Sequence, residues 1–66
     1  MKTGIVKFFN ESKGYGFITD DATQQEVFVH ISGLADGVTI RQNDAVSFNT
    51  KEGKKGLNAV DVQKIG

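Results

Sequence analysis

Three aromatic side chains in two short segments of this sequence could offer flat ring faces to a ligand: Tyr15, Phe17 and Phe28. The first two belong to the stretch "KGYGFI" and the third to "VFVHIS", which also carries the single histidine, His30. Ring faces stack on other planar groups, and ammonium groups attract anions. The cations interleaved with these segments or near them are Lys7, Lys13 and Lys55. Together these residue types predict a ligand that is both planar and anionic.

The lone histidine does not by itself support catalysis or metal binding. A metal site needs several Cys, His or carboxylate ligands, and the sequence has no cysteine and no second histidine. A general base needs a nucleophile on a rigid neighbouring element, and none is identifiable beside His30. We therefore expect no enzymatic activity, no cofactor and no metal. We expect His30 to stack on a ligand or hydrogen-bond to it beside Phe28.

Strands must position these residues, because alternating apolar stretches bounded by Gly, Asn, Asp and Ser recur while helical spacing does not. The pattern predicts an all-β chain with strands at residues 3–10, 14–20, 26–30, 44–51 and 58–64. Residues 32–43 read as a long connection with one helical turn capped by Ser32. Sixty-six residues make a single domain, 1–66, too small for two packed sheets. We expect a closed or nearly closed, five-stranded antiparallel barrel.

Side chains alternate between the two faces of a strand, which separates the aromatic residues of the second and third strands from the aliphatic ones. With the aliphatic residues inside, those facing outward are Tyr15, Phe17, Phe28 and His30. The opposite assignment would expose Val27 and Val29 and crowd four rings into a narrow barrel. Exposed rings could also stabilise the sheet by cross-strand pairing, alongside a binding role.

Phe8 has the same parity as Val6 in the first strand. If Val6 lies in the core and Phe8 is exposed, a bulge or strong coiling must occur near Lys7.

Single-stranded nucleic acid fits such a surface, because unpaired bases stack on rings and phosphates contact lysines. Eight basic residues balance eight acidic ones, so stacking should contribute more to binding than charge. A protein-docking surface is the alternative, since exposed apolar patches often serve that purpose. Short oligonucleotides distinguish the two, because a docking module would not bind them.

The absence of cysteine fits a reducing, cytoplasmic setting. The sequence shows neither a secretory signal nor an apolar run near the roughly 20 residues that span a bilayer. We expect a cytoplasmic monomer that contacts no membrane and takes no small-molecule substrate.

The order and spacing of "KFFN", "KGYGFI" and "VFVHIS", with "AVSF" and "GKKGLNAVDV" later, resemble the cold-shock domain over essentially the whole chain. The resemblance implies an OB-type barrel that binds single-stranded RNA and DNA with little sequence preference. It also implies action as an RNA chaperone, often in antitermination or translational regulation. The binding residues that it implies are Lys7, Phe8, Asn10, Lys13, Tyr15, Phe17, Phe28, His30 and Lys55.

The sequence departs from the family pattern at several positions. Phe8 stands where the family usually has Trp, Ile31 replaces a common aromatic residue, and Val38 lies in a loop that is shorter than usual. These departures predict a narrower stacking surface and weaker binding than is typical of the family.

Overall fold

The computed structural model describes residues 1–53 and 56–65 of the chain. Its strands are β1 (Lys2–Asn10), β2 (Tyr15–Asp20), β3 (Glu26–His30), β4 (Ala45–Gly53) and β5 (Gly56–Lys64). A single 3-10 turn, Ile31–Gly33, follows β3. The predicted five strands are confirmed, each boundary lying within two residues of its expected position. No helix in this described part of the chain has the length and apolar character needed to cross a bilayer.

The strands form one closed barrel in the order β1-β2-β3-β5-β4, with β4 pairing back onto β1. This confirms the predicted five-stranded barrel. All neighbouring strands are antiparallel except β3 and β5, which pair in parallel through Phe28 with Asn58 and Val29 with Ala59. The long connection between β3 and β4 reverses the chain direction and so allows this one parallel pairing, which the sequence pattern had not indicated.

The core consists mainly of small aliphatic side chains, with one ring among them. The buried residues are Val6, Ile18, Val27, Val29, Ile40, Val46, Phe48, Ala59 and Val62. Tyr15, Phe17 and Phe28 lie on the opposite faces of their strands and are half-buried rather than buried. The valines are therefore inside and these rings outside, which excludes the alternative assignment of the faces.

A bulge in β1 resolves the conflict between Val6 and Phe8. The pairing of β1 with β2 shifts register between these two residues, so that Lys7 is an extra residue in β1. Val6 is fully buried while Phe8 exposes 37% of its surface. The main chain of Val6 bonds to the long connection, donating to the Asp44 carbonyl at 2.9 Å and accepting from the Asn43 N–H at 2.8 Å. The predicted bulge is confirmed.

Gly16 allows β1 and β2 to approach closely beneath the outward-facing rings. A Cβ atom at this position would overlap the carbonyl oxygen of Phe8 and lie 2.7 Å from the Cα atom of Phe9. Both atoms are main chain, so the strands themselves would have to separate to admit a side chain.

The prediction that Ser32 caps the helical turn was wrong. The turn begins at Ile31, and His30 caps it by accepting a hydrogen bond on its side chain from the Ser32 N–H. Ser32 therefore lies within the turn. His30 thus makes a structural contact that the sequence did not indicate.

Candidate nucleic-acid interface

The pairing of β1, β2 and β3 arranges the outward-facing residues in two rows across the sheet. The first row is Phe8, Phe17 and Phe28, each directly opposite the next. The second row is Asn10, Tyr15 and His30, paired in the same way. Six of the nine residues implied by the family resemblance are thus brought together on one face of the barrel.

Four rings contact one another and form what we call the aromatic platform: Phe8, Tyr15, Phe17 and Phe28. Their contacts form a closed cycle. The Phe8 ring centroid lies 6.2 Å from Tyr15, edge to face, and 5.6 Å from Phe17 at a tilt of 51°. Phe28 lies 5.7 Å from Phe17, edge to face, and 6.0 Å from Tyr15 with the planes nearly parallel. Every ring is held by two others, so the positions of the ring faces are set before any ligand arrives.

The lysines predicted to contact phosphate are in different situations. Lys7, the bulge residue, forms an exposed ion pair with Glu26, nineteen positions along the chain. Lys13 lies in the turn between β1 and β2 and is exposed. Lys55 lies outside the described residues. The predicted phosphate contacts of all three stay predictions.

Asn10 shapes the turn that joins the two strands of the platform. Its Oδ1 atom accepts a hydrogen bond from the Lys13 N–H at 3.0 Å, and its carbonyl oxygen accepts one from the Gly14 N–H at 2.7 Å. Gly14 adopts a φ of 75°, which favours glycine. Asn10 therefore has a defined structural role beside its predicted binding role, and it positions Tyr15 by fixing this turn.

His30 presents a defined ring nitrogen to solvent. Its Nδ1 atom accepts a hydrogen bond from the Ser32 N–H at 3.1 Å and lies 2.9 Å from the Ser32 Oγ atom. Because a backbone N–H can only donate, the neutral ring carries its proton on Nε2. His30 is exposed, so this Nε2–H group is a donor beside Tyr15.

Two further lysines, Lys2 and Lys64, form ion pairs with carboxylates of the same chain. Asp20 is buried, and its Oδ1 atom accepts a 2.8 Å hydrogen bond from the Ala22 N–H, while Lys2 Nζ lies 3.4 Å from Oδ2. The Ala22 hydrogen bond is the main cause of a lowered pKa at Asp20; the Lys2 ammonium adds to this effect, and burial opposes it. Lys64 pairs with Asp44 at 3.6 Å.

An apolar groove of about 310 Å³ lies beyond the second row of the platform. Ile31, Leu34 and Val38 line it together with Phe9. Ile31 exposes half of its surface. Two of the residues that depart from the family pattern, Ile31 and Val38, thus lie close together and supply aliphatic rather than aromatic surface.

Asn58 and Lys51 also belong to this face, although the sequence analysis missed both. Asn58 pairs with Phe28 across the parallel β3–β5 contact, and Lys51 pairs with Asn58. Only the pairing of β3 with β5 reveals this position, and no local pattern in the sequence encodes that pairing. The one available signal was that Lys51 is the last residue of the predicted strand 44–51, and a Lys at such a position is too common to be informative.

A closed five-stranded barrel with stacking rings and cations on the outer face of β1–β3 is an OB-type barrel of the class that binds nucleic acid. The family described as 'Cold-shock' DNA-binding domain matches residues 2–65. The chain belongs to the cold-shock domain family, and it is accordingly a nucleic-acid-binding domain.

The chain is also similar to individual cold shock proteins in sequence and to a solved structure in fold. The chain is 43% identical to the major cold shock protein of Micrococcus luteus, with 98% of this chain and 100% of that protein covered. It is 48% identical to the cold shock-like protein CspG of Shewanella violacea, with 91% and 89% covered. Among solved structures it resembles Drosophila Unr CSD456, with a TM-score of 0.79 and 23% identity. The match covers 98% of this chain but only 26% of that one, and it shows the fold alone.

Proposed function

We propose that this protein binds single-stranded RNA and DNA with low sequence specificity and acts as a passive RNA chaperone. The observation that carries the proposal is the aromatic platform, four rings in mutual contact on the outside of a barrel whose core is otherwise aliphatic. Lys7, Asn10, Lys13, His30 and Lys55 are the polar residues that we assign to the same surface. The expected cytoplasmic setting and monomeric state are part of the proposal.

Stacking supplies the main attraction in this mechanism. Each base stacked on a ring contributes about 1–3 kcal/mol, so three or four bases supply on the order of 3–12 kcal/mol before the cost of ordering the strand. Any base has a π-face, which accounts for low sequence preference. We expect weaker binding than is typical of the family, because Phe8 replaces a larger indole and Ile31 replaces an aromatic ring.

Charge has a smaller part because three of the seven lysines already have acidic partners. Lys2, Lys7 and Lys64 each form an ion pair with a carboxylate of the same chain. With few lysines available, log affinity should fall with log salt at a slope of roughly −2, from about −0.7 per phosphate neutralised.

Chaperone action follows from selective binding to unpaired bases. A protein that binds the open form of an RNA hairpin and not the paired form shifts the equilibrium toward the open form by mass action. The step needs neither nucleotide hydrolysis nor covalent chemistry. Melting of hairpins is also the route by which such a protein would act on transcription termination or on translation.

The platform is tested by titrating heptauridine and heptathymidine while following the fluorescence of Tyr15, the only tyrosine. A Phe17→Ala, Phe28→Ala double variant should lose most of its affinity for both strands, since it removes two of the four rings. Ile65→Ala is the matched control, because Ile65 is an exposed apolar residue at the end of the chain that follows β5.

Unchanged binding by the double variant, with its barrel still folded by circular dichroism, would reject the platform as the binding surface. Binding of neither strand by the unaltered protein would reject the proposed function as a whole. For the chaperone step, a fluorophore-quencher RNA hairpin should open at lower temperature in the presence of the protein and should not respond to the double variant.

A further inference from the structure

The first row of the platform continues beyond its last ring. Phe28 in β3 pairs in parallel with Asn58 in β5, and Asn58 pairs with Lys51 in β4. Paired residues lie on the same face of a sheet, so Phe8, Phe17, Phe28, Asn58 and Lys51 form one row across all five strands. At about 4.8 Å between strands, Lys51 lies roughly 10 Å from Phe28 along the sheet.

Asn58 is a half-buried residue whose side-chain amide packs over Gly53, a diagonal neighbour across the hairpin. A Cβ atom at Gly53 would overlap the Asn58 Nδ2 atom. The amide therefore lies over the Gly53 main chain in β4, on the same outer face of the barrel as Phe28. An amide offers an acceptor oxygen and two N–H donors, whereas the three Phe rings of the platform offer only their faces.

Lys51 lies next in the row and is exposed. Within residues 1–53 and 56–65, no carboxylate lies within ion-pair distance of its ammonium group, unlike those of Lys2, Lys7 and Lys64. A lysine that forms no ion pair within the protein contacts a phosphate without first breaking an existing ion pair.

We propose that Asn58 reads the hydrogen-bonding edge of the base stacked on Phe28, and that Lys51 neutralises a phosphate of the same strand. This rests on the proposed function, which it deepens by giving an otherwise unselective platform one position of base preference. A base lying flat on Phe28 directs an edge toward β5, where Asn58 is the adjacent side chain.

The isosteric change Asn58→Asp tests the reading of the edge, because it replaces an amide by a group that only accepts hydrogen bonds. A carboxylate suits cytosine, whose N4 amino group donates, and repels the carbonyl oxygens that flank N3–H in uracil. The added negative charge weakens all strands alike, so the ratio of heptauridine to heptacytidine affinity isolates the effect on the edge. We expect that ratio to fall about fivefold. Asn58→Ala should weaken binding of each strand by about two- to tenfold.

Lys51→Gln tests the phosphate contact. It should make the slope of log affinity against log salt shallower by about 0.7. Lys64→Gln is the matched control, because it removes the same charge from the same hairpin at the Val46 end, away from the row. It should leave the slope unchanged.

Thermal unfolding of each variant checks that the barrel is intact. An unaltered uracil-to-cytosine ratio in Asn58→Asp, or equal slopes in Lys51→Gln and the unaltered protein, would overturn this inference while binding through the rings persists. Equal loss of slope in Lys64→Gln would also overturn it, since the effect would then come from net charge. If the unaltered protein binds neither strand, the proposed function fails, and this inference fails with it.

Discussion

Replacing Phe8 by Trp should strengthen binding of single-stranded nucleic acid, because Phe8 is the ring with space to grow. Toward β2 it contacts Tyr15 and Phe17. On its other side no strand is paired with it, since β1 pairs with β4 only through Lys2 to Ile5. A larger ring at this edge extends the stacking surface without entering the core.

The magnitude follows from exposed area. Phe8 exposes 37% of its surface, which for a ring residue of on the order of 200 Å² is about 75 Å². At about 25 cal/mol per Å², a base that covers this area contributes about 1.9 kcal/mol, within the range for stacking on one ring. The indole adds roughly 40 Å², or about 1 kcal/mol, which is about a fivefold gain in affinity.

Isothermal titration with heptauridine measures the gain, and the fluorescence of the new Trp, which the unaltered chain lacks, reports binding independently. Phe8→Leu is the informative companion, because it keeps an apolar side chain and removes the π-face. It should bind several-fold more weakly than Phe8. Equal affinity of the Leu, Phe and Trp forms would refute both stacking and burial of apolar area as sources of affinity at this position.

Two further predictions concern stability. Asp20→Asn should lower the thermal midpoint of unfolding at pH 7, and the difference from the unaltered protein should shrink as pH falls below about 4. The reason is that the pKa of Asp20 is lowered in the folded state, so the carboxylate stabilises the fold above its unfolded-state pKa and loses this effect on protonation. An equal difference at pH 7 and pH 3 would contradict this prediction. Gly16→Ala should cost about 2–3 kcal/mol through the overlap with the Phe8 carbonyl, lowering the midpoint by roughly 10–20 °C. Gly37→Ala, with a φ of 76° and open space around it, should cost about 1 kcal/mol, and equal shifts in the two variants would refute the steric argument.

The parts of the fold that were predictable from the sequence are those that local patterns encode. Alternation in β2 and β3 separated Phe17 and Phe28 from the valines, because the period of a strand is two and the interior of a small barrel takes aliphatic residues. The bulge at Lys7 was predictable for the same reason, since Val6 and Phe8 could not otherwise lie on opposite sides. In each case a single strand held the information.

What was missed depends on contacts between distant segments. The parallel pairing of β3 with β5 places Asn58 beside Phe28, and thirty residues of chain separate the two. The ion pair of Lys7 with Glu26 likewise requires β1, β2 and β3 to be side by side. Local patterns do not determine which strands become neighbours. The aromatic platform was therefore predictable from the sequence, whereas the position of Asn58 beside it and the ion pair of Lys7 were not.

The closed cycle of ring contacts accounts for how so small a domain can keep four aromatic residues on its surface. The interior of the barrel is filled by aliphatic side chains and Phe48, so the rings have no place there. Each instead packs against two neighbouring rings, which removes apolar surface from water without a second layer. The same contacts lower the entropy that is lost when a base stacks, because the rings are already ordered. Substitutions within the cycle should therefore be non-additive, as each removed ring frees two others to move.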